Sequence, residues 1–224
     1  MSTGLRDVFV VVPDLDTEHA VKTLLTKRQD ALEIRLNFDP VDVDLLRYAG
    51  RDSGCRFEAV QLLRAKQKSH RHGLLVFDRH GCGDARPREQ IEQAIESLLV
   101  QNGWPHGNVA VIVIDPEIEA WVWSSSPNVA HRLGWPSDAE LKAFLESKSL
   151  WATDALKPKD PKEALSQACR AKGVPVNARV FEDLAESVGL RTCQDSAFRK
   201  FQTTLKRWFG GGGRTGSAGG VRRE

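Results

Sequence analysis

DVFVVVPDLDTE, residues 7–18, is the segment from which the expected fold of this chain follows. It contains five consecutive β-branched or aromatic residues, from Val8 to Val12, followed by Pro13 and a polar turn. An unbroken apolar run predicts a strand that is buried on both faces, as strands of parallel sheets are. Asp16 or Thr17 can cap a helix directly after the turn. The chain is therefore predicted to begin with a strand–turn–helix unit.

Three further strands are predicted, and helices separate them. Apolar and charged residues alternate between residues 32 and 38, which is typical of a strand at a sheet edge or in an antiparallel position. Short apolar runs predict buried strands over residues 74–77 and 108–114. This β-α-β-α-β-α-β order predicts an α/β fold, with a mostly parallel sheet flanked by helices. Helical patterns then continue over residues 138–145, 161–171, 180–188 and 196–209.

Two helices between the strands are defined by their apolar positions. One is predicted around residues 57–63, after a turn that follows the second strand. The other is predicted to turn four apolar side chains towards the core, namely Ile91, Ile95, Leu98 and Leu99. The basic stretch 66–72, which contains the tripeptide HRH, is expected to be a solvated loop that leads into the third strand.

Composition and charge limit the class of protein. The chain has 224 residues, of which 41% are hydrophobic and 28% charged, and these values predict a soluble globular protein. The net charge of +2 gives no overall attraction to nucleic acid or membrane, so any nucleic-acid contact must use a local basic patch. Four widely spaced cysteines and the lack of a signal-peptide pattern lead us to expect a cytoplasmic location without membrane contact.

Three parts are predicted along the chain. Residues 1–125 are expected to form the α/β core, and residues 126–209 a helical extension packed on that core. Residues 210–224, GGGGRTGSAGGVRRE, are glycine-rich and contain little that a core can bury, so a disordered tail is expected there.

Acidic residues follow three of the four predicted strands. In an open parallel sheet, ligands bind beyond the carboxyl ends of the strands, and these acids are expected to meet there. Their mutual repulsion has to be offset by a cation, an arginine or a proton. The alternative is that they are helix caps, turn formers or residues that complement a helix dipole. The acids are Asp14, Asp16 and Glu18 after the first strand, Asp78 after the third, and Asp115, Glu117 and Glu119 after the fourth.

This succession of motifs resembles that of small bacterial TOPRIM-like proteins, which are often found in anti-phage defence loci. The similarity lies in an acid, a polar turn and Thr17-Glu18 after the first strand, in Asp78 followed by a glycine loop, and in PEIEAW at 116–121. The closing segment CQDSAFRKFQTTL, residues 193–205, is also similar, and the resemblance spans roughly residues 7–209. A narrower expectation is membership of a multi-gene, methylation-associated defence system.

The resemblance implies a TOPRIM-like fold in which acids hold Mg²⁺ or Mn²⁺ for nuclease-type phosphodiester chemistry. It also implies nucleic acid and other defence-system proteins as partners. The implied catalytic residues are Asp14, Glu18, Asp78 and Asp115. The implied metal ligands are Asp14, Asp78, Asp115, Glu117 and Glu119, and the expected phosphate contacts are Arg79, His80 and Arg86. As isolated arginines, Arg79 and Arg86 can equally be ordinary surface residues.

The chain departs from the family pattern at two positions. TOPRIM enzymes usually carry a glutamate after the first strand and an Asp-x-Asp pair after a later one. Here the first position is Asp14 and the pair is replaced by Asp78-Arg79-His80, with Asp84 as a substitute if its loop folds back. Two alternatives to a nuclease therefore stay open, namely a non-catalytic interaction subunit of a defence complex and a nucleotide-binding sensor.

Overall fold

The computed structural model describes residues 4–41, 43–123, 126, 128–191 and 193–211. Within them, a four-stranded, all-parallel sheet is flanked by helices, and a helical region follows the last strand. The elements are β1 (Arg6–Val12), α1 (Leu15–Lys27), α2 (Gln29–Leu32), β2 (Leu45–Arg47), α3 (Arg51–Phe57), α4 (Ala59–Arg64), β3 (His70–Asp78), α5 (Arg88–Gln101), β4 (Val109–Ile114), α6 (Glu119–Val122), α7 (Asn128–Arg132), α8 (Asp138–Ser147), α9 (Pro161–Lys172), α10 (Ala178–Ser187) and α11 (Ser196–Phe209).

The strand order is β2-β1-β3-β4, and it positions the candidate site. The two central strands pair in parallel, with Val10 opposite Leu74, while β4 pairs with the other side of β3. The helix after β1 packs on one face of the sheet and the helix after β3 packs on the other face. Because the chain leaves these two neighbouring strands towards opposite faces of the sheet, a crevice opens at their carboxyl ends. The predicted α/β class is confirmed.

The core has two layers because successive strand residues point to opposite faces of the sheet. Val8, Val10 and Val12 pack on the layer that contains α1 and the C-terminal helices. Phe9 and Val11 pack on the layer that contains α3, α4 and α5. This burial on both faces explains why β1 is apolar throughout.

The predicted second strand over residues 32–38 is wrong. Leu32, Ile34 and Leu36 are buried, but the chain from residue 34 to 39 is irregular. Its backbone N–H groups bond to other partners; for example, Arg35 donates to the carbonyl of Phe209. The alternating pattern therefore reports alternate burial without strand pairing. The sheet instead takes the three-residue β2, which runs parallel to β1.

Three smaller expectations also need correction. The helix predicted around residues 57–63 is present as α4, but Phe57 is the last residue of a separate helix, α3. Leu98 is 48% exposed and does not face the core. The HRH tripeptide belongs to β3, and His70 is buried with its Nε2 atom 3.1 Å from the carboxylate of the buried Asp44, which also accepts hydrogen bonds from Arg6.

The outer edge of β4 is covered by side chains. Glu92 and Glu96 of α5 each accept a backbone N–H of β4, from Val113 and Val111, at 2.9 Å. Lys200 of α11 bridges the two glutamates at 3.1 and 2.7 Å. This arrangement satisfies edge donors that a fifth strand would otherwise use, and it joins α5, β4 and α11.

Some expectations are not tested by this architecture. The boundary between a core ending at residue 125 and a helical extension stays a prediction, and residues 212–224 of the predicted tail lie outside the described residues. None of the described helices is long and apolar enough to cross a membrane.

Candidate functional site

Asp78, the last residue of β3, is the most deeply buried acid of the site. Asp78 is 6% exposed, and its backbone N–H donates to Asp52 Oδ1 at 2.8 Å. The Oδ1 atom of Asp78 is buried and has no hydrogen-bond partner within the described part of the chain. Burial and the negative charges of Asp52, Asp14 and Glu119 raise the pKa of Asp78 well above its usual value. These acids therefore lie close enough to interact.

Asp14 combines a structural role with its place in this cluster. It is the N-cap of α1, and its Oδ1 accepts the backbone N–H of Thr17 at 2.8 Å. The alternative in which Asp14 is a helix cap is thus confirmed, whereas the expectation that Asp16 or Thr17 caps the helix is wrong, because both residues lie inside α1. The charge of Asp14 still acts on Asp78. Burial and the charge of Asp14 raise the pKa of Asp16. Glu18, one turn further on, pairs with Arg47 at 3.4 Å.

Asp52 is a member of the cluster that sequence reasoning missed. The ring of Tyr48 lies against Gly50, where an added Cβ would be 2.5 Å from the ring. Arg51 then adopts a left-handed conformation with φ of 55°, and this tight turn brings Asp52 into the first turn of α3, beside Asp78. Burial raises the pKa of Asp52. The turn after Leu45-Leu46 could have indicated that an acid follows a strand here. However, β2 has only three residues, which is too short for a recognisable strand pattern.

Glu117 and Glu119 enter the site from the segment after β4, and a lysine from the helical region joins them. Lys162 Nζ lies 3.0 Å from Glu117 Oε2 and 3.7 Å from Glu119 Oε1. His80 Nδ1 lies 2.8 Å from Glu117 Oε1. Glu119 is buried, and its Oε2 atom has no hydrogen-bond partner among the residues described. Burial raises the pKa of Glu119.

Asp115 is arranged differently from the other acids. Its carboxylate is 2.8 Å from Arg79 Nε, and its side chain is partly exposed. It is not among the main charges that raise the pKa of Asp78. The predicted residues that come together around Asp78 are therefore Asp14 and Glu119, while Asp115 forms a separate ion pair with Arg79.

The loop after β3 holds its own charges. Arg86 binds Asp84 with a closest distance of 2.7 Å, and Arg56 approaches the same carboxylate at 3.3 Å. The hydrogen bonds from Arg86 lower the pKa of Asp84 to about 2. Asp84 is thus engaged by arginines. An open cleft of about 580 Å³ lies between this loop and Pro116, and Arg79 and His80 line it.

The donor chemistry of the acidic cluster fits a hard cation. Among the described residues, no three His, Cys, Asp or Glu side chains converge as a ready-made metal-binding set. Even so, Asp78 Oδ1 and Glu119 Oε2 are buried acceptors without a donor in the described structure, and such oxygens require a proton or a cation. Carboxylate oxygens are the preferred protein ligands of Mg²⁺ and Mn²⁺.

Comparison of the chain with protein-family models, with curated protein sequences and with solved structures found no significant match.

Proposed function

We propose that this chain is a TOPRIM-like, Mg²⁺- or Mn²⁺-dependent nuclease-type component of a bacterial anti-phage defence system, acting in the cytoplasm. The observation that carries the proposal is the buried, unpartnered oxygen of Asp78 in the described structure, beside Asp14, Asp52 and Glu119. The parallel sheet, with an acid after β1 and another at the end of β3, supports the TOPRIM-like assignment.

In this proposal the buried acids hold the metal and the residues of the cleft bind substrate. Asp78 and Glu119 are the principal ligands, and Asp14 and Asp52 complete the negative charge around them. A bound Mg²⁺ or Mn²⁺ supplies Lewis-acid activation of a phosphoryl oxygen and lowers the pKa of coordinated water. Because Asp115 is paired with Arg79, its role here is to orient that arginine.

The substrate side of the site is the cleft beside the acidic cluster. Arg79 and His80 line it, and both can donate hydrogen bonds to phosphate oxygens. Arg51, next to Asp52, is exposed and makes no ion pair within the described residues, so it can also contact a nucleic-acid backbone. A phosphodiester strand is therefore the substrate class that the surrounding cations favour.

A nucleotide-binding sensor is the second candidate. The cleft has a volume of about 580 Å³, which is within the range of pockets that hold a single small ligand. A sensor of this kind would use the same acids and cations to bind a nucleotide–metal complex without cleaving a nucleic-acid strand.

The test is cleavage of labelled single- and double-stranded DNA and RNA with Mg²⁺ or Mn²⁺, by the wild type and by Asp78→Asn. The control is Asp154→Asn, because Asp154 is exposed and lies in a loop of the helical region. Cleavage by the wild type and the control that is lost in Asp78→Asn supports the nuclease. If none of the four substrates is cut while nucleotide triphosphates bind in a metal-dependent manner, the sensor is correct. If neither is observed, a non-catalytic interaction subunit becomes the better account.

A further inference from the structure

The acidic site contains a positive charge that comes from outside the α/β core. Lys162 Nζ bridges Glu117 at 3.0 Å and Glu119 at 3.7 Å, although its side chain is 63% exposed. A lysine ammonium is charged at neutral pH, so Lys162 places a positive charge against the two glutamates.

The position of Lys162 is fixed by the start of α9. Asp160 caps the helix by accepting the backbone N–H of Glu163 at 2.9 Å, and Pro161 is the first helical residue. The carbonyl of Pro161 accepts the indole N–H of Trp123 at 3.0 Å, which attaches this helix start to the end of α6. Glu119 belongs to α6, so the lysine and the glutamate are held on two helices that contact one another.

A lysine in this place works against the local preference of a helix. The first turn of a helix favours negative charge, because its backbone N–H groups give it a positive end. Lys162 lies in that turn, so its charge is unfavourable for α9 itself. A residue that breaks a local rule is explained when another part of the molecule gains from it, and here Glu117 and Glu119 gain a counter-charge.

We propose that Lys162 is a specificity-determining residue of the acidic site, acting as a built-in counter-cation, held by Glu117, that a divalent ion bound by Asp78 and Glu119 must displace from Glu119. This inference rests on the proposed metal site, in which Lys162 competes with the metal ion for the acidic side chains. An ammonium carries one charge and a metal ion two, so a divalent cation can displace Lys162 where a monovalent ion cannot. Because Lys162 belongs to α9, occupancy of the site also alters a contact between the core and the helical region.

The test is a Mn²⁺ titration followed by electron paramagnetic resonance, on the intact chain without substrate. Three variants are compared with the wild type, namely Lys162→Gln, Lys162→Arg and Lys159→Gln. Lys159 is the matched control because it is an exposed lysine of the same segment and its side chain makes no ion pair within the described residues. We expect Lys162→Gln to bind Mn²⁺ about tenfold more tightly than the wild type. Removing one positive charge near a divalent ion in a solvated site changes the affinity by about this factor. Lys162→Arg and Lys159→Gln should bind within about threefold of the wild type.

The outcomes separate this inference from the proposed function. Tighter binding in Lys162→Gln that is lost when Asp78→Asn is added supports both. Equal or weaker Mn²⁺ binding in Lys162→Gln, with the wild type still binding, overturns the inference and leaves the metal site in place. If neither the wild type nor Lys162→Gln binds Mn²⁺, the proposed metal site is wrong and the inference is wrong with it.

Discussion

At the scale of single residues, Asp78 carries the proposal of a functional site at the carboxyl end of the sheet. A buried carboxylate with an unpartnered oxygen in the described structure costs stability, and a protein retains such a group where a ligand uses it. Asp44 shows the contrast, because this equally buried acid accepts hydrogen bonds from Arg6 and from the backbone N–H of Asp39. Burial raises the pKa of Asp44, but these hydrogen bonds outweigh burial and lower it.

Asp78 should therefore destabilise the metal-free protein at neutral pH. Its folded-state pKa is raised above the ordinary value of 3.8, so the folded protein binds a proton that the unfolded chain has already lost. Stability must then fall as the pH rises from about 4 through the raised pKa. We expect Asp78→Asn to be about 1–3 kcal/mol more stable than the wild type at pH 8 in EDTA, with the difference shrinking towards pH 4. Urea unfolding across this pH range measures the effect.

The control for this prediction is Asp154→Asn, which should shift the free energy of unfolding by less than about 0.5 kcal/mol at every pH. An Asp78→Asn protein that is less stable than the wild type at pH 8 would show that the carboxylate is satisfied in the folded state.

Asp52 is predicted to support the metal although sequence reasoning did not identify it. Its carboxylate accepts the N–H of Asp78 and adds charge to the cluster, whereas Asp84 is bound by arginines. We expect Asp52→Asn to weaken Mn²⁺ binding about 10-fold or more, as loss of a supporting group does at metal sites. Asp84→Asn should leave the dissociation constant within about threefold of the wild type. Titration calorimetry distinguishes the two, and an equal loss in both variants would contradict the arrangement described above.

At the scale of elements, the strands that are apolar throughout could be predicted from sequence and the others could not. Val8 to Val12 and residues 109–114 are buried on both faces, so their composition alone identifies them. Residues 32–38 alternate like a strand because an irregular segment buries every second side chain. The real second strand has three residues, and its place in the sheet depends on pairing with β1. Asp52 was missed for the same reason, since it follows that strand.

The covered edge of β4 provides a prediction at this scale. Glu92 is buried and accepts the N–H of Val113 while pairing with Arg88 and Lys200. We expect Glu92→Ala to lower the free energy of unfolding by about 3–5 kcal/mol, because it removes the buried partner of Arg88 and leaves the backbone donor of Val113 without its acceptor. Glu89→Ala, which removes an exposed partner of Arg88, should cost less than about 1 kcal/mol. Urea denaturation of both variants is the measurement, and similar losses would show that the network contributes little.

At the scale of the whole molecule, the α/β region and the C-terminal helices share one hydrophobic layer. Trp121 of α6 packs against Phe198 and Phe201 of α11, with ring centroids 5.2 and 5.5 Å apart. The same layer contains Val8, Val10 and Val12 of β1. Sequence patterns predicted helices that pack on the core but not which side chains meet in this layer, because contacts between distant segments leave no periodic signal. The same limit applies to Lys162, whose acidic partners are more than forty residues away in the chain.

The shared layer predicts that a fragment ending at residue 125 will not fold alone. Removing α9, α10 and α11 would expose the apolar side chains that they cover on β4, α1 and α6. We expect this fragment to bind the dye ANS strongly and to give no near-ultraviolet circular dichroism signal. The intact chain should bind ANS weakly and give a near-ultraviolet signal. A fragment that unfolds cooperatively would instead establish residues 1–125 as an independent domain.

The acids around Asp78 are proposed to hold a divalent cation. Anomalous X-ray diffraction from crystals grown with Mn²⁺ tests it most directly, because it locates the ion. The account predicts an anomalous peak about 2 Å from a carboxylate oxygen of Asp78, with Glu119 as a second ligand and Lys162 displaced. A peak beside Asp115, or ordered density for the acidic cluster without any peak at saturating Mn²⁺, would contradict it.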